Sequence, residues 1–177
     1  VRTLPSVTQL AQGKVSVSDL QELDADDLLG REPVSPNHIL LAKNIVGKVV
    51  MVTGAGGSIG SELAKQLGSF EPKELIILDQ AETPLYEIEM YFKKNIPSCT
   101  CHFELVDVTN LEEFETVFKK YRPEIIFHAA AYKHVPLLEK NFKQAIKVNI
   151  FGTKICLDLA MKYGVNKFVY VSTDKAV

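Results

Sequence analysis

From Val46 onward, apolar and polar positions fall into two alternating patterns. Short runs in which nearly every residue is apolar are separated by longer stretches with apolar positions at helical spacing. The apolar runs predict strands at Lys48 to Thr53, Glu74 to Asp79, Cys101 to Val106, Glu124 to His128 and Lys167 to Ser172. Strands this uniformly apolar are buried on both faces. Alternated with helices, they imply right-handed βαβ units and a doubly wound parallel α/β sheet, expected in the order 3-2-1-4-5 without a sixth strand. Helix ends are marked as well. Thr83-Pro84 reads as an N-cap before a first-turn proline, Thr109 with Glu112 as a capping box, and Asn141 with Gln144 as the same device. Gly164 after Tyr163 reads as a helix stop. The first 45 residues carry no sustained period. They are expected to form a connector arm with one or two short helical turns, or a plain linker, before a domain at 46–177.

The first strand ends in Thr53-Gly54-Ala55-Gly56-Gly57-Ser58-Ile59-Gly60. Glycines at 54, 57 and 60 let backbone amides at a helix start approach a dinucleotide pyrophosphate with no side chain in the way. Thr53, Gly54, Gly56, Gly57, Ser58, Ile59 and Gly60 are therefore candidate cofactor residues of a Rossmann-like fold. Asp79 closes the second strand about 20 residues further on, where an acid accepts the hydroxyls of the adenosine ribose. No Arg follows it directly, so NAD is expected rather than NADP. The alternative is that Asp79 simply begins the next loop.

Ligands of such sheets lie outside the carboxyl ends of the strands. At the third strand end, Asp107 and Val108 face either an adenine amino group or only the next helix start. At the fourth, the small residues Ala129, Ala130 and Ala131 let a cofactor lie against the backbone. Lys133 and His134 follow as site groups or as a solvated loop. Asn149 sits mid-helix, where an amide is unfavourable unless it binds something or bridges helix and strand. The fifth strand end releases a hydroxyl, an acid and a base together, Thr173, Asp174 and Lys175, a grouping suited to proton transfer.

Composition narrows the field. With 177 residues, 46% of them hydrophobic, the chain holds one domain of ordinary size. A net charge of −2 offers nothing to nucleic acid or an anionic membrane. No apolar run is of bilayer length, and no signal peptide is visible. Three cysteines argue against a disulfide framework and for a reducing, cytoplasmic setting. Cys99-Thr100-Cys101-His102 is spaced too tightly for a zinc knuckle and has no second ligand pair, so no metal is expected.

Several strings together resemble a family. Thr53 to Leu63, Leu78-Asp79-Gln80-Ala81-Glu82, His128-Ala129-Ala130-Ala131-Tyr132-Lys133-His134-Val135-Pro136, Asn149-Ile150-Phe151-Gly152-Thr153 and Ser172-Thr173-Asp174-Lys175-Ala176 are similar to CapD-like nucleotide-sugar 4,6-dehydratases of polysaccharide biosynthesis. These belong to the extended short-chain dehydrogenase/reductase superfamily. Leu4-Pro5-Ser6-Val7 and Asp27-Leu28-Leu29-Gly30-Arg31 resemble the connector of its long, membrane-anchored members. The resemblance implies a parent anchored in the bacterial inner membrane, with this domain on the cytoplasmic face, and a homo-oligomer. It also implies a reaction on a UDP-N-acetylhexosamine, expected to be UDP-N-acetylglucosamine, without net redox change. Hydride leaves C4 for NAD, the C5 proton is removed, the C6 hydroxyl departs as water and hydride returns to C6. By carry-over, Thr173 holds the sugar near O4, Asp174 is the acid at C6, Lys175 the base at C5, and Lys133 lines the sugar pocket. The family continues past Val177 to a Tyr or Met, a Lys and the sugar-nucleotide-binding part. The expectation is thus a chain that binds NAD without turnover. A nucleotide-sugar 4-epimerase or 4-dehydrogenase shares this cofactor half, and a non-catalytic NAD-sensing module is the reading from another class.

Overall fold

A computed structural model describes residues 38–172. The expected arm before residue 38 and the trio Thr173, Asp174 and Lys175 lie outside these residues. The chain enters through α1 (His38–Ile45), inside the stretch expected as arm, and Ile45 is already core. Five parallel strands follow: β1 (Val49–Thr53), β2 (Glu74–Asp79), β3 (Cys101–Leu105), β4 (Ile125–His128) and β5 (Lys167–Tyr170). They stand in the order 3-2-1-4-5, as the periodicity predicted. Val50 of β1 lies between Leu75 of β2 and Ile125 of β4, and the register runs on to Thr53 between Leu78 and His128.

Alternate residues of the strands feed two separate cores. On one face, Val50, Val52, Leu75 and Ile77 pack with Ala64 and Leu67 of α2 (Ser58–Gly68) and Leu85, Ile88 and Phe92 of α3 (Glu82–Asn95). On the other, Met51, Ile76, Leu78 and Ile126 pack with Phe114 and Phe118 of α4 (Leu111–Tyr121) and Cys156 and Leu159 of α7 (Thr153–Lys162). β1, β2 and β4 are covered on both faces as their apolar runs required, whereas the edge strands β3 and β5 are partly exposed, contrary to that expectation. Between β4 and α7 lie α5 (Val135–Lys140), α6 (Phe142–Ala145) and a π-helical turn, Ile146–Gly152.

The helix stop at Gly164 holds. At φ +70° it takes the left-handed conformation that glycine accepts without steric cost. Its N–H donates to Met161 O and that of Val165 to Ala160 O, the paired closure of a Schellman end. The helix starts need correction. The cap of α4 is Asn110, one residue beyond Thr109, with Oδ1 accepting from Glu113 N at 3.4 Å. The cap of α3 is Ala81 rather than Thr83, and Pro84 falls on the third helical residue. Asn141 does stand at the start of α6, but its side chain donates back to Leu137 O instead of capping forward.

Candidate functional site

Thr53 ends β1 and the chain turns at once. Gly54 adopts φ +68°, and a Cβ there would lie 2.5 Å from the backbone N and Cα of Ala130. Only glycine permits both the turn and the contact. Gly57 N–H donates to Gly54 O, closing the turn, and α2 begins at Ser58. Its N-cap is Gly57, so no side-chain cap covers the first-turn amides. Such amides, with the partial positive charge of the helix end, attract anions.

Two acids face this turn from neighbouring strand ends. Asp79 accepts from Gly56 N at 2.7 Å through Oδ2 and from Ala81 N at 2.8 Å through Oδ1. Asp107 accepts from Thr109 N at 2.8 Å, and Lys147 Nζ stands 3.6 Å from its other oxygen. Both line an open cleft of about 260 Å³ above the carboxyl ends of the strands. Gly54, Gly56, Gly57, Val108, Ala129, Ala130 and Ala131 share its walls. Nine of the residues singled out for cofactor contact are thereby brought together, from four strand ends that are distant in sequence.

Beyond Tyr132, which borders both, lies a second cleft of about 390 Å³. It is lined by Lys133 and His134 together with Leu137, Leu138 and Asn141. The two candidate substrate residues therefore sit side by side on a wall separate from the acids. Lys133 reaches back across the glycine turn, its Nζ 3.2 Å from Ser58 Oγ. Gln80 Nε2 donates to the Tyr132 hydroxyl at 3.1 Å, joining the loops after β2 and β4.

The other candidate cofactor residues stand off the cleft wall. Thr53 is fully buried, with its hydroxyl on His128 Nδ1 at 2.7 Å, and cannot meet a ligand in the cleft. Ser58, Ile59 and Gly60 form the first turn of α2 and do not line the cleft themselves, so what they offer a ligand is the uncapped amides of that turn. Asn149 lies in the π-helical turn and has both side-chain polar atoms on the backbone of one residue. Oδ1 accepts from Tyr132 N and Nδ2 donates to Tyr132 O, each at 2.9 Å. These bonds bridge the π-helical turn to the loop after β4 rather than to a strand. Around the cysteines, Cys99 and Cys101 pack on the first core while His102 turns outward to Glu74.

His128 is not among the candidates read from the sequence. It is a buried polar side chain at the end of an apolar strand, a signal the sequence did carry. Burial, with no counter-charge beside it among the described residues, pushes its imidazole down to about 4. Its Nε2 lies 3.0 Å from Thr153 Oγ1, and that hydroxyl donates to Asn149 O at 2.9 Å. The single Thr153 proton is thus used, so Nε2 carries the ring proton and Nδ1 accepts from Thr53.

Fold and cleft define a Rossmann-like domain of the short-chain dehydrogenase/reductase type. Residues 50–177 match the family described as "Polysaccharide biosynthesis protein", and the chain belongs to that family. It is 40% identical over 181 residues to the probable polysaccharide biosynthesis protein EpsC of Bacillus subtilis, covering 100% of this chain and 30% of that protein. It is 38% identical to the capsular polysaccharide biosynthesis protein CapD of Staphylococcus aureus, over 98% of this chain and 29% of CapD. A UDP-N-acetylglucosamine 4,6-dehydratase (inverting) of Campylobacter jejuni is 34% identical, over 73% and 37%. The chain thus spans about a third of the length of these relatives. Among solved structures, Pen from Bacillus thuringiensis superposes with a TM-score of 0.69 at 25% identity, over 75% of this chain and 40% of Pen. A UDP-glucose 4-epimerase of Thermus thermophilus in complex with NAD superposes at 0.58 and 28%, over 70% and 37%.

Proposed function

We propose that this chain is the NAD-binding portion of a nucleotide-sugar 4,6-dehydratase acting on UDP-N-acetylglucosamine in surface polysaccharide biosynthesis. The observation that carries the reading is the cradle at the end of β1. Gly54 turns against the Ala130 backbone, α2 starts without a side-chain cap, and the Asp79 carboxylate flanks both. A dinucleotide fits that donor set. The turn and first-turn amides suit its pyrophosphate, and a carboxylate suits ribose hydroxyls while repelling a 2′-phosphate. Asp79 is held in place by Gly56 and Ala81, which leaves less of its orientation to be fixed on binding. Asp107, on the cleft wall, would accept from an adenine amino group, and Ala129 to Ala131 would let a flat group lie on the backbone.

A bound nicotinamide supplies the store from which hydride taken at C4 is returned. Of the remaining roles, this chain's residues would take some and the longer protein the others, removal of the O4 proton included. Lys133 and His134, across Tyr132, would line the sugar-nucleotide side. Thr173 would hydrogen-bond near O4, Asp174 would give its proton to the departing C6 hydroxyl, and Lys175 would take the C5 proton. A lysine in that role must have its pKa lowered by burial or neighbouring positive charge. The longer protein is proposed to be a homo-oligomer anchored in the membrane, with this domain on the cytoplasmic face. No helix among the described residues is long and apolar enough to cross a membrane.

A 4-epimerase is the second reading, favoured by the fold likeness to the NAD-bound epimerase. Product mass separates the two. The longer protein, given UDP-N-acetylglucosamine and NAD, should yield a sugar nucleotide lighter by one water, and Asp174→Asn or Lys175→Ala should abolish the loss. An unchanged mass with the substrate bound would overturn the dehydratase reading.

A further inference from the structure

We infer that His128 is a positioning residue of the cofactor cleft, tying the π-helical turn to the ends of β1 and β4 and so fixing the Ala129–Tyr132 wall. The inference rests on the cofactor reading above and concerns a side chain that lines neither of the two clefts described. Its hydrogen bonds form one continuous line. Thr53 donates to His128, His128 donates to Thr153, and Thr153 donates to the carbonyl of Asn149. The Asn149 side chain then grips both polar atoms of the Tyr132 backbone.

Beside the β1–β4 ladder and the continuous chain from the π-helical turn into α7, a single ring thus adds a side-chain link from the strand pair to the turn. No buried side-chain polar atom among the described residues lacks a partner, so the line is complete at every member. Removing one member leaves the others buried and unpaired, which costs more than the bond itself was worth. The ring is held sideways as well, against Phe168 at 5.8 Å and stacked on Tyr170 at 5.9 Å.

The wall has little freedom to drift. Ala130 backbone atoms would lie 2.5 Å from a Cβ on Gly54, so even a small inward shift of the wall meets the glycine turn. An outward shift opens the surface on which a cofactor would lie. The π-helical register belongs to the same device. Its wider turn presents Asn149 to Tyr132 while Gly152 sits under Val108, where a Cβ would come within 2.9 Å of Val108 Cγ2.

The test uses the 177-residue chain. Thr153→Val keeps the shape of the side chain and removes the hydroxyl. It should raise the Kd for NAD about tenfold, corresponding to the loss of roughly one buried hydrogen bond, and Thr153→Ser should restore it. Val117→Ala, in the core under α4 and away from the line, should lower the melting temperature while leaving that Kd unchanged. Nitrogen-15 spectra of the ring should give the Nε2–H tautomer in wild type and Thr153→Ser, and a mixture in Thr153→Val. An unchanged Kd in Thr153→Val, or an Nδ1–H ring in wild type, would overturn the inference. If the wild-type chain binds no NAD, the cofactor reading fails separately. Exchange of the Tyr132 amide then decides, with faster exchange in Thr153→Val supporting the inference and unchanged exchange overturning it.

Discussion

Asp79 serves the glycine turn and the proposed ligand with the same two oxygens. Asp79→Asn keeps the outline, but its amide nitrogen can accept from neither Gly56 nor Ala81. Charge-assisted bonds of this kind contribute about 1.5–3 kcal/mol. Titration with both cofactors should therefore show NAD bound roughly 10- to 100-fold more weakly, with the preference over NADP largely lost. Retained discrimination would remove Asp79 from the ribose site. His128 makes a prediction about pH. It is faced by Thr53 from β1, Thr153 from α7, and Phe168 and Tyr170 from β5, with no charged group among them. The folded ring titrates at about 4 and the unfolded one near 6.5. Between those values the unfolded chain binds a proton that the folded chain does not, so stability rises with pH. The contribution is complete above about 6.5 and disappears as pH falls toward 4, a change of about 3 kcal/mol. Urea unfolding at pH 4.5 and 7 should show this slope, and His128→Asn should flatten it. Equal slopes would assign the acid lability to other groups. None of this relay was readable beforehand, because Thr53 and Thr153 lie 75 and 25 residues from His128 and nothing local marks the pairing.

Elements were legible where a single physical demand dominates. β1 is Val-Val-Met-Val-Thr because both of its faces are covered, and all five residues are buried. Helix starts were less legible, since Thr109 and Asn110 are both good caps and only the path of the chain chooses between them. The π-helical turn left no compositional trace. Its register is set by Asn149 reaching Tyr132 and by Gly152 against Val108, both of them tertiary contacts. Two glycines of nearly equal φ separate backbone strain from steric contact. Gly54 and Gly164 stand at +68° and +70°, but a Cβ on Gly164 meets nothing within 4 Å. Gly164→Ala should cost about 1 kcal/mol and leave cofactor binding intact. Gly54→Ala should cost several-fold more and abolish binding, because the wall itself must move. Thermal unfolding with NAD titration of each variant would show this, and similar effects from both would mean that φ alone matters.

Across the whole molecule, the sheet order places the ends of β1 and β4 beside each other with their connections departing to opposite faces. That reversal opens the crevice in which open α/β sheets bind ligands. The glycine turn, Asp79, Asp107 and the alanine wall converge there without adjacency in sequence. The acids and glycines of the site were legible because each ends an apolar run. The separation of Lys133 and His134 into a second cleft was not, because it depends on where Tyr132 stands. Calorimetric titration of the 177-residue chain with NAD and with NADP tests the central claim most directly. The account predicts one NAD bound per chain, NADP bound far more weakly, and neither bound by Gly54→Ala. Absence of NAD binding by the folded chain, or equal affinity for the two cofactors, would contradict it.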